Sequence, residues 1–476
     1  MRSSAVVAGA LVPVALAAIA PKNFIFIMPD GMAPASSTLH RAYESMLDGD
    51  SRVATDQIPV GTVMTHSFNR LITDSAATGT AFASGYKTGN GAIGVLPDGQ
   101  PVGTIWEAAK HAGFLTGLVV TSTVNHATPA SYSSHVLNRN ALGAIAEQQQ
   151  GYSGILGQKV DVLLGGGRCH FRPRGTSGSC RDNDVDLFAY AQEQGYFVAQ
   201  NRSRFDELEL GRAESHNLPW LGLFNDGDLS YEIDRQQQPE RERSLAEMAE
   251  AALNALHRAS HCKDKGYFVM IEASRIDHAS HAHDSVAHLW DVTEYYNVVE
   301  LVTSCIDQHT DTAMMSVADH ETDGLILIGY GPRPLQGGRH SIDYLSSLWS
   351  RYSGSDRRAF LTSEILPAYG LEDATGSEID RLLAGNFAGN FAGNFAGNLA
   401  SIISSSTGIQ WSTGGHRAVN TTLYAYATGD MGAHLKVDLA HHWDNTGLPR
   451  YIEEALGLDM DEITALLRAN GTDWIP

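Results

Sequence analysis

Residues 23–31 read Asn23-Phe24-Ile25-Phe26-Ile27-Met28-Pro29-Asp30-Gly31. A short unbroken apolar run closed by Pro-Asp-Gly predicts a buried strand that ends in a turn carrying an acid. The same pattern recurs along the chain. Thr104–His111 reads as a helix stopped by Gly113, and Phe114–Thr121 as the next strand. Val160–Leu164 runs into Gly165-Gly166-Gly167, Tyr267–Ile271 into Glu272, and Thr312–Val317 into Ala318-Asp319-His320, while Leu423–Ala427 is a late strand. Between them, Ser244–Arg258 places Leu245, Met248, Ala249, Ala252, Leu253 and Leu256 at helical spacing, and His283 to about Ser304 reads as a long helix. Buried strands alternating with helices predict an α/β fold with a mostly parallel sheet.

In such sheets ligands bind beyond the carboxyl ends of the strands. Asp30, Glu272 and Asp319 each follow a strand, so parallel strands bring three carboxylates to one edge. Without a cation they repel, and burial raises their pKa values. A divalent metal is the simplest remedy; the alternative is that each acid caps the helix that follows it. Asp277 and His281 are four residues apart, on one face of a helical turn, and carboxylate with neutral imidazole suits zinc. Asp319-His320 offers a second such pair, and His416 lies late in a Gly-rich turn. Small, helix-compatible residues follow Ser75 in Thr73-Asp74-Ser75-Ala76-Ala77-Thr78-Gly79. That puts Ser75 at a helix N-terminus, where amides and dipole favour an anion; the plainer reading makes Asp74 or Ser75 only an N-cap. A serine needs a base or metal nearby to become a good nucleophile. Thr128, after the strand at Phe114–Thr121, offers a hydroxyl to a hard cation. Arg139 offers a guanidinium able to grip two phosphate oxygens.

The 476 residues hold 33 Lys+Arg and 54 Asp+Glu, a formal charge of −21, with 43% hydrophobic and 18% charged residues. That composition excludes wholesale disorder, and the acidic balance argues against nucleic acid as a specific partner. It leaves phosphate substrates open, because bound metals reverse a local field. Ala5–Ala20 is almost wholly apolar behind Arg2. It is short for a membrane span and contains Gly9 and Pro13, so residues 1–20 read as a secretory signal, with an uncleaved anchor as the alternative. Cutting fits after Ala20 or after Ala17. Four cysteines with no CxxC pair argue against a zinc-thiolate site, and an even count behind a signal favours two disulfides. Cys169–Cys180 closes a short loop, and Cys262–Cys305 follows by elimination. Asn201, Asn420 and Asn470 begin glycosylation sequons, meaningful if a eukaryote secretes the chain. Residues 384–398 repeat Ala-Gly-Asn four times within a variable excursion from about 331 to 410.

Taken in order, FIFIMPDGM, TDSAATGTAFASGYKTGNGAIGV, HATPASYSSHVLNR, VDVLLGGGR, FVMIEASRIDHASHAH, ADHETDG and WSTGGH resemble the alkaline phosphatase family, spanning residues 23 to about 428. The loop around Cys169 looks more like fungal members than bacterial ones. The resemblance implies a three-layer α/β/α sandwich over residues 21–476 with a variable insertion. It also implies a homodimer; the N-terminal apolar segment points to a secreted or extracellular protein, or alternatively to a vacuolar one or one anchored to a membrane through that segment. The implied activity is hydrolysis of small phosphate monoesters at alkaline pH through a phosphoserine, with two zinc ions and one magnesium ion per chain. Paired metals about 3.5–4 Å apart stabilise the attacking and leaving oxygens of an in-line displacement. By motif match Ser75 is the nucleophile, and Arg139 clamps the phosphate with His126 and His278 nearby. Asp277, His281 and His416 hold the first zinc. Asp30, Asp319 and His320 hold the second, while Asp30, Thr128 and Glu272 hold magnesium. His126 and His278 stand where the best-known bacterial members have Asp and Lys, and animal-type members carry His at both. Losing the Asp removes an acid from beside the magnesium ligands, which predicts weaker magnesium retention. A phosphodiesterase or sulfatase of the same superfamily is the nearest rival, but Ser75-Ala76-Ala77-Thr78 lacks the sulfatase C/S-x-P-x-R context. A secreted metal-binding protein without activity is the rival from another class.

Overall fold

In the computed structural model the described residues are 20–476 except 50, 159, 330 and 386–393. The signal or anchor reading (apart from Ala20) and the middle of the Ala-Gly-Asn tract therefore lie outside the described residues. The strands in chain order are β1 (Asn23–Met28), β2 (Pro59–Met64), β3 (Leu115–Thr123), β4 (Val162–Gly166), β5 (Phe197–Ala199), β6 (Trp220–Leu223) and β7 (Tyr267–Glu272). They continue with β8 (Thr312–Ser316), β9 (Glu321–Thr322), β10 (Leu325–Leu327), β11 (Ile409–Trp411), β12 (His416–Arg417), β13 (Thr421–Tyr426) and β14 (His442–Asp444). Ten of them form one sheet in the order β14-β2-β13-β8-β1-β7-β3-β4-β6-β5. All run the same way except β13, which is antiparallel to both β8 and β2. The sheet is mostly parallel, as the sequence predicts.

The apolar run of β1 is continuous because both of its faces are covered. Phe24, Phe26 and Met28 point into one core with Phe82, Trp106 and Ile452. Ile25 and Ile27 point into the other with Met248, Leu253 and Tyr295, which lie on helices Leu245–Ser260 and Ser285–Gln308. Helices thus sandwich the sheet. Ser244 starts the first of these helices with a capping box to Glu247, and Thr104 does the same with Glu107 for Ile105–His111. The predicted long helix begins at Ser285. His283, with φ +50°, and the N-cap Asp284 separate it from a short helix, Arg275–His281.

Register fixes the site edge. Met28 pairs with Glu272 and Ile27 with Ser316, so the chain segments leaving β1, β7 and β8 emerge side by side. Strands β10 and β11 pair antiparallel and bracket the excursion. Its helices Ile342–Arg351 and Phe395–Thr407 share a core built on Leu345, Trp349, Leu399 and Ile403. The last Phe-Ala-Gly-Asn unit is the first turn of a packed helix, with Phe395 stacked on Trp349 at 5.2 Å. Asp284 ties this lobe to the sandwich by accepting from Ile342 N (2.6 Å) and the Tyr369 hydroxyl (2.9 Å).

Cys169 and Cys180 form a disulfide. The second expected bridge is not formed, and Cys262 and Cys305 are free thiols. Cys262 is exposed just past the end of helix Leu245–Ser260. Cys305 turns inward against the core beneath helix Ser285–Gln308, where burial pushes its thiol up to about 11. Pairing by elimination ignored that Cys262 sits exposed in a turn while Cys305 faces inward from its helix. The sequon residues Asn201, Asn420 and Asn470 are exposed. Among the described residues no helix is long and apolar enough to cross a membrane.

Candidate active site

Two clusters form where the sequence put its acids and imidazoles. The ligand-type atoms of Asp30, Asp319 and His320 lie within 4.8 Å of one another, and so do those of Asp277, His281 and His416. Asp30, Glu272, Asp319 and His320 are fully buried.

Each imidazole is held by Nδ1 and presents Nε2. His416 Nδ1 donates to the Thr73 carbonyl at 2.9 Å, and His281 Nδ1 lies 3.1 Å from Asp323 Oδ1. Thr322 donates its hydroxyl to Asp277 Oδ1 at 2.5 Å, so its oxygen is left to accept from His320 Nδ1 at 3.2 Å. The remaining nitrogens converge: His281 Nε2 and His416 Nε2 are 3.2 Å apart, and the His320 and His416 rings stack at 3.6 Å. Two imidazole lone pairs at that separation repel unless a cation or proton sits between them, and imidazoles fixed at the far nitrogen are the usual form of metal ligands.

The carboxylates tell the same story. Asp319 Oδ1 accepts from Gly31 N (3.1 Å) and His320 N (2.9 Å), while its Oδ2 is buried with no hydrogen-bond partner. Both oxygens of Asp30, Oε1 of Glu272 and the Thr128 hydroxyl are buried and unbonded as well. Burial first, then Asp319, Asp277 and Glu272, drives the Asp30 carboxyl well above its ordinary range. Burial also pushes Glu272 up to about 7, against the pull of Ser274. Asp277 and Asp319 go the other way: despite burial, the neighbouring imidazoles, His281 first for Asp277 and His320 for Asp319, hold them low. Buried acids with orphaned oxygens fit a divalent cation, which replaces the proton they would otherwise take up. Zinc suits the two carboxylate–imidazole sets, and the all-oxygen set of Asp30, Thr128 and Glu272 suits magnesium.

Ser75 is the first residue of helix Ser75–Ser84, and its hydroxyl lies 3.2 Å from His320 Nε2. Asp74 is the N-cap, accepting from Ala77 N, so the capping alternative falls to Asp74 and leaves the serine hydroxyl uncommitted to the backbone. Every residue of this helix is buried, which explains its run of small side chains. It packs on helix Ala127–Ser133, which carries Thr128; a β-carbon added at Gly79 would lie 2.8 Å from Ser131 Oγ. Arg139 bonds Asp74 Oδ2, next to Ser75 in the chain, at 3.2 Å and lies 3.4 Å from His126 Nε2. His126 and His278 meet edge to face at 5.3 Å. Burial, then His278 and Arg139, depresses His126 to about 3; burial and Arg275 depress His278.

Sequence reasoning missed the partners. Arg275 donates to His278 Nδ1 at 2.8 Å, and Asp228 lies against both of them while accepting from Thr123 N at 2.8 Å. Thr322 bonds Asp277 and lies 3.2 Å from His320 Nδ1, and Asp323 lies 3.1 Å from His281 Nδ1. Their only sequence signal is a place beside Asp319-His320. A cavity of about 760 Å³, lined by Phe24, Phe114, Leu435 and Tyr451, lies at the amino ends of the strands and contains none of these groups.

An α/β sandwich with a serine set among carboxylate–imidazole clusters is the framework of a metal-dependent esterase. Residues 21–458 match the family described as alkaline phosphatase, and the chain belongs to that family. It is 38% identical over 463 residues to an alkaline phosphatase of Schizosaccharomyces pombe, covering 94% of this chain and 84% of that protein. It is 36% identical over 479 residues to the repressible alkaline phosphatase of Saccharomyces cerevisiae, covering 94% and 83%. The solved Thermus thermophilus alkaline phosphatase superposes with a TM-score of 0.78 at 30% identity, covering 95% of this chain and 96% of that one. The protein is therefore a metal-dependent hydrolase of phosphate monoesters.

Proposed function

We propose that the chain hydrolyses phosphate monoesters by two in-line displacements through a phosphoserine at Ser75. The observation that carries this is the Ser75 hydroxyl, buried at a helix N-terminus and 3.2 Å from His320 Nε2 between the two clusters. Asp277, His281 and His416 would hold one zinc, Asp30, Asp319 and His320 the second, and Asp30, Thr128 and Glu272 a magnesium, with Asp30 shared. Bound zinc supplies Lewis-acid charge to phosphoryl oxygens and lowers the pKa of a hydroxyl or water. In the first displacement Ser75 Oγ forms a bond to phosphorus, its proton passes to solvent, and the bond to the leaving alcohol oxygen breaks, that oxygen taking a proton. Water then attacks the phosphoserine and restores the Ser75 hydroxyl, so configuration at phosphorus is retained overall. Arg139, steadied by Asp74, faces the equatorial oxygens, and the amides at the start of helix Ser75–Ser84 add positive potential. His126 and His278, kept neutral by burial, line the phosphate side without adding charge.

The disulfide supports an oxidising compartment, secreted or vacuolar, and we extend the reading to a homodimer. The test is turnover of a chromogenic phosphate monoester and of the matching diester, with and without chelator, beside Ser75→Ala. Monoester turnover should fall by at least about 10³-fold in the variant and on chelation, with the diester much slower throughout. An unchanged rate in Ser75→Ala rejects the nucleophile, and a preference for the diester favours the phosphodiesterase reading.

A further inference from the structure

Four non-glycine residues among those described have positive φ, and two of them meet beside the candidate metal centre. Asp323 has φ +58° and His283 φ +50°, and Asp323 Oδ2 lies 2.9 Å from His283 Nε2, which also lies 3.0 Å from the Thr413 carbonyl. The other oxygen, Oδ1, lies 3.1 Å from His281 Nδ1. The Asp323 carboxylate is fully buried. Non-glycine residues in the left-handed region carry backbone strain, and such strain persists where surrounding structure holds it for a purpose.

The Asp323 main chain has a separate job. Its N–H donates to the Gly415 carbonyl (3.1 Å), and its carbonyl accepts from Ser412 N (3.0 Å) and Thr413 N (3.2 Å). These bonds tether residues 412–415, which lead into β12 and His416, and they need only an N–H and a carbonyl, which glycine supplies. Gly324, next in the chain, shares the same backbone region at φ +60°. The turn therefore accepts glycine at low cost, and the aspartate must be accounted for by its side chain. That side chain touches His281 and the His283 ring, which in turn lies parallel to Trp411 at 5.6 Å.

We infer that Asp323 is a positioning residue: its carboxylate, braced by His283, fixes the tautomer and orientation of His281 so that Nε2 faces Asp277 and His416. A carboxylate on the far nitrogen of a ligand imidazole raises the basicity of the ligating nitrogen and removes its rotational freedom. The inference rests on the reading of Asp277, His281 and His416 as metal ligands.

The experiment measures zinc retained per chain against graded chelator in wild type, Asp323→Gly, Asp323→Asn and His416→Ala, together with thermal unfolding of each metal-free form. Both Asp323 variants should lose zinc at 10–100-fold higher free zinc than wild type. Metal-free Asp323→Gly should unfold at the same temperature as wild type or higher, because glycine relieves the strain and keeps all three main-chain bonds. Cobalt-substituted Asp323→Asn should show a shifted visible band, a readout independent of turnover. If Asp323→Gly fails to fold, Asp323→Asn, which keeps the β-carbon and the shape, decides. Zinc retention within twofold of wild type in the folded Asp323 variants overturns the inference. If His416→Ala also retains zinc like wild type, the metal-centre reading fails instead.

Discussion

His126 is half-buried, 3.4 Å from the Arg139 guanidinium and two residues before Thr128, and burial, then His278 and Arg139, depresses it to about 3. A carboxylate there would add a negative charge beside an all-oxygen site, and magnesium affinity rises with ligand charge. His126→Asp should therefore retain more magnesium through dialysis than wild type, and added magnesium should stimulate it less. Metal analysis paired with turnover checks this; equal retention in the two proteins counts against it. At this scale the sequence was most legible. Asp30, Glu272 and Asp319 end apolar runs that parallel register sets side by side, and Asp277 and His281 share a helical turn. Asp228, Arg275, Thr322 and Asp323 were not legible as partners. Each is a single polar residue whose role is set by a side chain placed by the fold, as with Asp228 beside His278 fifty positions later. The expected pair Cys262 and Cys305 failed for the same reason: counting cysteines says nothing about one lying in an exposed turn and the other facing the core.

Helix Ser75–Ser84 and helix Ala127–Ser133 approach closely because Gly79 has no side chain to keep Ser131 away. The first bears Ser75 and the second Thr128, so their spacing sets the reach from nucleophile to cation site. Gly79→Ala should cost about 1–3 kcal/mol through overpacking and lower kcat/KM by more than the stability loss explains, read from denaturant unfolding and steady-state kinetics. A second contact between elements runs through His288, which bonds Ser280 Oγ and Ser36 Oγ at 3.0 Å each and so ties helix Arg275–His281 to helix Pro34–Asp48. Burial lowers His288 to about 4, and burial followed by Arg41 lowers His40 to about 4. The unfolded chain binds these protons near pH 6.5 and the folded chain only near 4. Stability is thus complete above 6.5 and is lost as pH falls toward 4, by up to about 3 kcal/mol for each group. In chelator-treated protein, where ligand protonation no longer releases metal, the drop in melting temperature from pH 7 to 4.5 should shrink in His40→Gln/His288→Gln. An identical drop would show that other groups dominate.

Over the whole molecule, the disulfide closes a loop with a sequence separation of 11 residues at the rim of the sheet next to β4. Opening it with Cys169→Ser/Cys180→Ser should cost about 3 kcal/mol of unfolding free energy, measured by denaturant titration, with zinc content unchanged. The parallel core was readable because β1, β3, β4, β7 and β8 are covered on both faces and are therefore continuously apolar. Strands β2, β5, β6 and β14 were not read, since they are short or partly exposed at the flanks of the sheet. The excursion bracketed by β10 and β11 was visible as a break in the family pattern. Its packing was not, because a repeat tract gives no hint that its final unit would stack on Trp349.

The lone reversed strand, β13, has a consequence for biosynthesis. It alone joins β2 and β14 to the rest of the sheet, and the short strand β12 just before it carries His416. A nascent polypeptide that has not yet released residue 426 from the ribosome has β2 waiting without a neighbour and β8 with a bare flank. Closure of the architecture and completion of the ion cradle then coincide, late in translation, like a keystone dropped between two half-arches. Chaperone occupancy on stalled chains should fall abruptly once the tether clears that position, at the same length where zinc first becomes resistant to chelation.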